Sequence, residues 1–362
     1  MTRVPVGDLL GWTSSVLARV GLSAEDAVVV AESLVFADVR GVSTHGVLRL
    51  TTYVDRIRAG GIGRRSELAV VADFGALVVA DAGAGPGAAT GARAADLAVG
   101  RARSFGIGAV VCRNANHFGA SGFFTNRMAD AGMVGIAACN TESVMCAPFG
   151  GAPVLGTNPI AVAVPLPYAS RPQLDMATTT TSQGRLIMAE QAGEPIPLGW
   201  SVDDEGRPTT SAAAGLAGAL LPVGGPKGFG LAFAVDALLA VGGASVSTQV
   251  DALGGAPAST QHLGHLFIAV RADAGQSLAA YRTTVAGLVE SIHASADGFD
   301  VPPAIAPGEP ELRHEQAADG HVDLSRHLLL ELGGLARSSD VALPPSMVAG
   351  QTAAPLSGGS TS

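Results

Sequence analysis

One short stretch of the sequence combines side chains suited to acid–base chemistry with a group that binds carboxylates. Within ten positions it carries two hydroxyls, an imidazole and two guanidinium groups around two glycines: Arg40, Gly41, Ser43, Thr44, His45, Gly46 and Arg49. Glycine allows backbone conformations closed to other residues, so this polar run can turn out of a helical segment into a cleft. His45 can give or take a proton near neutral pH, and the hydroxyls of Ser43 and Thr44 can orient the ring or relay that proton. Arg49 presents a planar fork of donors that matches a carboxylate.

The alternative interpretation of this stretch is a capped loop with a surface histidine, because a single histidine is weak support for catalysis. A second polar run, residues 114–122, contains His117 and lies between a predicted strand and a predicted helix. Backbone N–H groups at such a helix N-terminus can bind a phosphate or carboxylate. An ordinary capped turn has the same composition, so both interpretations stay open.

Lysine occurs once in the chain, at Lys227, and every other Lys or Arg position is arginine. Lys227 precedes a predicted helix over residues 229–240, where a compact ammonium beside the positive end of the helix dipole is a second candidate anion site. Chance retention of one lysine is the alternative.

A glycine-rich run at residues 83–88 satisfies a relaxed G-x-G-x-x-A fingerprint. The strand that follows ends at Cys112 and Arg113 instead of the acidic residue that would hold a ribose hydroxyl, and Pro86 stiffens the turn. A Rossmann dinucleotide site is therefore the less favoured interpretation of this run.

Composition excludes several classes of function. A formal net charge of -9 and a pI near 5.3 argue against general binding of nucleic acid or anionic membrane. No apolar run reaches the roughly 18 residues needed to cross a bilayer, and the N-terminus lacks the apolar core of a secretory signal, so we expect a cytoplasmic protein. Cys112, Cys139 and Cys146 have no metal-ligand spacing, so neither a metal site nor a disulfide framework is predicted.

Hydrophobic periodicity predicts an α/β protein with mixed α and β layers. Helices are predicted over residues 6–20, 23–38, 47–59, 88–104, 229–240, 278–295 and 323–337, and strands over 68–71, 76–81, 108–113, 133–140, 160–165 and 265–270. Residues 301–310 are expected to be extended. The predicted organisation is a helical N-terminal part over residues 1–70 that carries the catalytic stretch, an α/β core over 71–300, a C-terminal segment over 301–337 that packs on the helical part, and a disordered tail over 338–362.

Six short motifs in order resemble the malate/L-lactate dehydrogenase family of the non-Rossmann type, which includes sulfolactate and ureidoglycolate dehydrogenases and Δ1-piperideine-2-carboxylate reductase. The motifs lie at residues 40–49, 116–120 (Asn-His-Phe-Gly-Ala), 156–159 (Gly-Thr-Asn-Pro), 175–177 (Asp-Met-Ala), 225–228 (Gly-Pro-Lys-Gly) and 307–310 (Pro-Gly-Glu-Pro). The resemblance covers roughly residues 5–335. It departs at Thr44, where serine is usual, and at Arg185, where lysine often follows the glycine.

The resemblance implies a mixed sheet flanked by helices, with a helical domain built from both termini, in a homodimer. It implies hydride transfer between NAD or NADP and a 2-hydroxy acid/2-keto acid pair; a cyclic imine reductase, or a cofactor-binding protein without turnover, remain alternatives. His45 would be the proton donor with Thr44 as relay, or His117 would be the acid/base instead. The implied substrate-binding residues are Ser43, Arg49, Thr157 and Arg185. The implied cofactor-binding residues are His117, Phe118, Gly119, Ala120, Ser121, Asp175, Met176, Ala177, Lys227, Gly308 and Glu309.

Overall fold

A mixed β-sheet organises residues 1–352, the part of the chain that this computed structural model describes. Seven strands in this described part form the sheet, in the order β2 (Ala69–Asp73), β3 (Leu77–Asp81), β4 (Ile107–Ala115), β10 (Leu263–Arg271), β5 (Met133–Cys139), β6 (Ile160–Ala163) and β7 (Gln173–Met176). The β3–β4 pair is parallel, and every other neighbouring pair of this sheet is antiparallel. The predicted mixed α/β architecture is confirmed.

The strand directions bring distant loops together at one edge of the sheet. Because β4 and β5 are both antiparallel to β10, their C-terminal ends lie beside the N-terminal end of β10. The register places the start of β6 and the end of β7 at this same edge. We call this edge the site edge. The loops that meet there contain residues 114–121, 140–143, 156–159, 175–178 and 261.

Helices cover both faces of the sheet. On one face lie α4 (Gly87–Phe105) and α5 (Ser121–Asp130), and on the other lies α8 (Pro226–Ala240). The inner face of α4 is mostly alanine, and a Cβ on Gly108 of β4 would overlap the backbone of α4. Small side chains thus let helix and sheet approach closely.

A helical layer is built from both ends of the chain. Its helices are α1 (Val6–Arg19), α2 (Ala24–Val39), α3 (Leu50–Ala59), α11 (Arg326–Ser339) and α12 (Pro345–Thr352), joined by the antiparallel pair β1 (Thr2–Pro5) and β11 (His321–Leu324). Leu34, Leu50, Leu329 and Leu332 belong to one buried cluster of this layer. Leu50 opens α3, so the layer holds the helix that follows the catalytic stretch.

Six further helices and strands of the described chain lie outside the seven-stranded sheet and the helical layer. They are α6 (Gln183–Ala192), β8 (Ser201–Val202), α7 (Ala212–Ala217), β9 (Ala219–Leu220), α9 (Leu278–Ala294) and α10 (Glu309–Ala318). Within residues 1–352, no helix has the length and apolar character to span a bilayer.

The structure corrects three predictions for the C-terminal part. Helix α10 begins at Glu309, inside the segment predicted to be extended. The helix predicted from residue 323 begins only at Arg326, because β11 occupies residues 321–324. The disordered tail predicted from Ser338 is wrong as far as residue 352, because α11 continues to Ser339 and α12 follows, with Met347 fully buried. Residues 353–362 lie outside the described part of the chain. The divisions at residues 70 and 300 stay predictions.

Candidate active site

The catalytic stretch is a pair of 3₁₀ turns clamped onto the end of α2. The turns span Ser43–His45 and Val47–Arg49, so the helix predicted from residue 47 becomes α-helical only at Leu50. Asp38 in the last turn of α2 accepts a hydrogen bond of 2.8 Å from the backbone N–H of Val47. A Cβ on Gly46 would overlap the Asp38 carboxylate, so only glycine fits there. Burial raises the pKa of Asp38 to about 7, although the Val47 N–H lowers it.

Two imidazoles lie together in the cleft, and each is held by a hydroxyl. The ring centroids of His45 and His117 are 5.6 Å apart and the rings are 19° from parallel. His45 Nδ1 lies 3.0 Å from Thr44 Oγ1, and His117 Nδ1 lies 2.6 Å from the hydroxyl of Tyr53. Neither Nε2 atom has a hydrogen-bond partner in the described chain, and neither is fully buried. Both rings therefore present Nε2 as the free acid or base.

Arg49 dominates the electrostatics of this cleft. Its Nε donates a 2.7 Å hydrogen bond to the carbonyl of Thr44. Burial, and then the charge of Arg49, lower the pKa of His45 to about 4. Burial, and then the nearby His45 and Arg49, hold the pKa of His117 well below its usual value. Both rings are therefore neutral near pH 7 and ready to accept a proton.

The turn that carries His117 is held by long-range contacts. The backbone N–H of His117 donates to Oε1 of Gln261 at 2.9 Å. The side-chain amide of Asn116 donates to three backbone carbonyls, those of Gly61, Ala84 and Gly85. Phe118 stacks on His265 with centroids 4.5 Å apart, and burial lowers the pKa of His265 to about 3.

The glycine-rich run at residues 83–88 serves packing. It leads from β3 into α4, and a Cβ on Gly87 would overlap the backbone carbonyls of Asn116 and His117. The N-terminus of α4 thus abuts the His117 turn, which leaves no space there for a pyrophosphate. The structure agrees with rejecting a Rossmann site at this run.

The anion site considered at the start of α5 is taken by a carboxylate. The backbone N–H of Gly122 donates to Oδ2 of Asp175 at 2.7 Å. Gln173 on the same strand, β7, donates from Nε2 to the carbonyl of Gly122 at 2.8 Å. The end of β7 is therefore pinned to α5, and an incoming phosphate would meet the negative charge of Asp175.

Thr157 lies in a hydroxyl cluster at the site edge. The hydroxyl of Thr141, two residues beyond β5, accepts from the N–H of Thr157 at 2.9 Å and lies 3.3 Å from its hydroxyl. The carbonyl of Thr157 accepts from both the N–H and the hydroxyl of Thr178, at 2.8 and 2.9 Å. These bonds tie residue 157 to the residues that follow the Asp-Met-Ala motif.

Two predicted cations lie at the rim of this region. Lys227 is exposed on the first turn of α8, and Gly228 packs against the carbonyl of Thr178. Arg185 is exposed on the first turn of α6, where a Cβ on Gly184 would come within 2.9 Å of the Thr44 methyl group. Neither cation pairs with an acidic side chain in residues 1–352. Both are free to meet an anionic ligand.

The Pro-Gly-Glu-Pro motif lies beside β7. Gly308 has a φ of +86° and a Cβ there would come within 2.8 Å of the Gln173 carbonyl. The carboxylate of Glu309 pairs with His293 and Arg313. Glu309 also lines a cavity of about 490 Å³ that lies between α9, α10 and residues 169–172. Gly308 thus lies beside Gln173 on β7, whereas Glu309 faces a separate cavity.

A family model described as malate/L-lactate dehydrogenase matches residues 4–332. The chain belongs to the malate/L-lactate dehydrogenase family. It is 37% identical to an L-sulfolactate dehydrogenase of Methanocaldococcus jannaschii over 88% of this chain and 91% of that protein. It is 34% identical to an NAD⁺ ureidoglycolate dehydrogenase of Escherichia coli O157:H7 over 83% of this chain and 86% of that protein. The solved structure of malate dehydrogenase from Pyrococcus horikoshii OT3 superposes with a TM-score of 0.86 at 30% identity, and covers 94% of this chain and 97% of that one. The protein is an NAD(P)-dependent oxidoreductase.

The residues of this dehydrogenase fit a nicotinamide dinucleotide at the site edge. Ser121 follows the His117 turn, and its hydroxyl is buried without a partner in the described chain. Lys227 offers an unpaired ammonium at the start of a helix of 15 residues, where the dipole also favours a phosphate. An unsatisfied buried hydroxyl and an unpaired cation are what a polar anionic ligand would complete.

Three residues outside the sequence motifs also lie at the candidate site. Tyr53 contacts His117, and Asp38 accepts a hydrogen bond from Val47. The third residue is Glu142, whose pKa is influenced by the charge of Arg49. A signal existed for Tyr53, because it lies one helical turn after Arg49 on a predicted helix. Ser43, in contrast, is exposed and its side chain has no hydrogen bond within the described chain. No group of three His, Cys, Asp or Glu side chains in residues 1–352 is placed to hold a metal ion.

Proposed function

We propose that this dehydrogenase interconverts small 2-hydroxy acids and 2-oxo acids with NAD or NADP. The observation that carries the proposal is the pair of neutral imidazoles, each held at Nδ1 by a hydroxyl and free at Nε2, beside the Arg49 guanidinium. A carboxylate-binding cation next to a proton acceptor is what oxidation of a 2-hydroxy acid needs. The names of the relatives, which include sulfolactate and malate dehydrogenases, support the same substrate class.

Arg49 would hold the substrate carboxylate. Its Nε is already bonded to the Thr44 carbonyl, so the guanidinium is oriented before the substrate arrives. The remaining donors can then bind the carboxylate and direct C2 and its hydroxyl toward the imidazoles. Positioning of this kind can supply several kcal/mol, up to about 7 to 11 in ideal cases. Thr157 and Arg185 stay proposed contacts for the rest of the substrate.

His45 is proposed as the group that moves the proton. In the tautomer that donates Nδ1–H to Thr44 Oγ1, its Nε2 lone pair takes the hydroxyl proton as the hydride leaves C2 and the C=O bond forms. A nicotinamide bound beside C2 would supply the hydride chemistry of the reaction. His45 is favoured over His117 because it lies on the same pair of turns as Arg49, whose Nε donates to the carbonyl of the neighbouring Thr44.

Substrate binding would itself adjust this proton acceptor. The charge of Arg49 lowers the pKa of His45 in the free protein. A substrate carboxylate on Arg49 offsets that charge, so the pKa of His45 rises when the site is filled. The imidazole would therefore hold the abstracted proton more firmly in the complex than in the free protein.

The remaining site residues are proposed to hold the cofactor along the site edge. Residues 117–121 and 175–177, Lys227, Gly308 and Glu309 would contact the cofactor, and Lys227 offers an exposed ammonium for its anionic groups. A homodimer is also proposed, because Phe233 on α8 and Val241 directly after it expose apolar side chains, at 62% and 63%. We also propose a cytoplasmic location, because the three cysteines of the protein are unpaired and disulfides are rare in the cytosol.

Turnover assays test the proposal. The purified protein is mixed with NADH or NADPH and, in turn, pyruvate, oxaloacetate, 3-sulfopyruvate or Δ1-piperideine-2-carboxylate, and the nicotinamide absorbance is followed. We expect oxidation of the cofactor with at least one 2-oxo acid. Preference for the cyclic imine over every 2-oxo acid would move the substrate to the imine class. Tight cofactor binding without turnover of any of them would contradict the proposal and favour a binding protein.

Tyr53→Phe is expected to lower kcat by roughly fivefold with little loss of stability. The change removes only the hydroxyl that holds His117 Nδ1 at 2.6 Å, and one neutral hydrogen bond contributes about 1 kcal/mol. Steady-state rates and cofactor affinity are measured, with Tyr281→Phe as control because the Tyr281 hydroxyl has no hydrogen bond in residues 1–352. An unchanged rate and pH profile in Tyr53→Phe would show that the orientation of His117 does not matter.

A further inference from the structure

Glu142 lies inside the proposed substrate site, although no motif includes it. It follows β5 at the site edge, directly after Thr141. The N–H of Thr141 donates to Oδ1 of Asn158 at 3.1 Å, and its hydroxyl lies 3.3 Å from that of Thr157. The backbone around Glu142 is therefore fixed against the loop that carries the proposed substrate contact Thr157.

The carboxylate of Glu142 is partly buried and lacks a side-chain partner; its hydrogen bond is with its own backbone N–H. It forms neither a hydrogen bond nor an ion pair with another described side chain, yet its oxygens are not fully enclosed. Burial raises the pKa of Glu142, while the charge of Arg49 lowers it. Glu142 is thus close enough to Arg49 for the two charges to interact, although they form no ion pair. The space between them is where the substrate carboxylate and its neighbouring atoms would lie.

A fixed carboxylate in this position distinguishes substrates by charge. Malate and sulfolactate, named for two of the relatives, each carry a second anionic group beyond the carboxylate that Arg49 would bind. Repulsion between like charges at an effective dielectric constant of about 20 can change an affinity by roughly tenfold or more. A side chain that bears N–H donors or a positive charge would instead be attracted to Glu142.

Arg185 is the nearby cation that could favour a second anion. It is exposed at the rim on α6, whereas Glu142 is partly buried. Water and salt screen an exposed charge more strongly than a partly buried one. The electrostatic potential inside the cleft is therefore determined more by Arg49 and Glu142 than by Arg185.

We propose that Glu142 makes this enzyme selective for monoanionic 2-hydroxy and 2-oxo acids whose side chain carries a hydrogen-bond donor or a positive charge, such as an amide, ureido or guanidino group. This inference rests on the function proposed above and narrows its substrate class. It predicts that malate and sulfolactate are poor substrates of this family member.

Oxaloacetate and 2-oxosuccinamate provide a matched test, because they differ only in a carboxylate replaced by a carboxamide of similar size. In the wild-type protein, we expect kcat/KM for 2-oxosuccinamate to exceed that for oxaloacetate by about tenfold or more. In Glu142→Gln the ratio should fall to within about threefold of one, mainly because oxaloacetate improves. Glu190→Gln, an exposed charge on α6, should leave the wild-type ratio unchanged.

The other outcomes are decisive as well. A wild-type preference for oxaloacetate, or a ratio that Glu142→Gln does not move, overturns the role of Glu142 and leaves the proposed function intact. Absence of turnover with either compound and with pyruvate, with both cofactors, would overturn the proposed function and this inference together.

Discussion

His45→Ala is expected to lower kcat/KM for oxidation of the 2-hydroxy acid by about 10² to 10⁴ while cofactor affinity stays within about twofold of wild type. The variant removes the Nε2 that takes the proton and leaves Arg49 and the site edge in place. Water can enter the space and act as a weak substitute, which sets the lower limit of the loss. Steady-state kinetics give the rates, and fluorescence titration with NADH or NADPH gives the affinity.

His327→Ala is the matched control for His45→Ala, because His327 is exposed on α11 far along the chain. His117→Ala tests the competing assignment in the same assay. A His45→Ala protein that retains more than about a tenth of the wild-type rate, beside a His117→Ala protein that loses it, would transfer the proton role to His117.

The lowered pKa of His45 has a definite consequence for the pH dependence of His45-mediated turnover. The pH profile of kcat/KM reports the free protein, in which that pKa is about 4. Oxidation needs the neutral ring, so kcat/KM for oxidation should be flat from about pH 5 to 8. Reduction needs the protonated ring, so its kcat/KM should fall about tenfold per pH unit over the same range. A bend in the oxidation profile between pH 6 and 8 would contradict the lowered pKa.

Arg49→Met is expected to reduce kcat/KM by roughly 30-fold to several-thousand-fold. Truncating one partner of a buried charge pair costs about 2 to 5 kcal/mol, and the substrate carboxylate would lose such a partner. The loss should appear mainly in KM for the acid if Arg49 binds the substrate equally before and during the reaction. Kinetics at saturating cofactor separate the two constants.

Arg49→Met also carries a second readout that a purely structural effect would not produce. Removal of the Arg49 charge should raise the pKa of His45, so the reduction profile should shift to higher pH. Arg326→Met, an exposed arginine on α11, serves as the control. A normal KM and an unshifted profile in Arg49→Met would exclude a carboxylate-binding role.

Much of the site was predictable because its residues are attached to strand ends. His117 lies just after a predicted strand and Thr157 just before one, whereas Asp175 lies on β7, a strand that was not predicted. Once the strand directions are known, such positions converge on one edge of the sheet. What the pattern could not give is the strand order, in which β10 inserts between β4 and β5.

The contacts that the sequence did not predict are those between distant residues. The side chain of Gln261 accepts a hydrogen bond from the N–H of His117, although the two residues are 144 positions apart in the sequence. No local spacing predicts such a pair. The anion site considered at α5 failed for the same reason, because Asp175 reaches Gly122 from 53 positions away. The alanine- and glycine-rich composition after Ser338 suggested disorder, but burial of Met347 against the helical layer stabilises α12. Tertiary burial of one side chain outweighed local composition.

The most direct test of the account is the transfer of label to C2 of the substrate. NADH or NADPH that carries deuterium at the reactive face of the nicotinamide is incubated with the protein and an accepted 2-oxo acid, and the 2-hydroxy acid product is analysed by mass spectrometry and NMR. We expect one deuterium at C2 of the product in the wild-type protein, and almost no labelled product in His45→Ala. A product that is reduced without deuterium at C2, or full labelled turnover in the absence of His45, would contradict it.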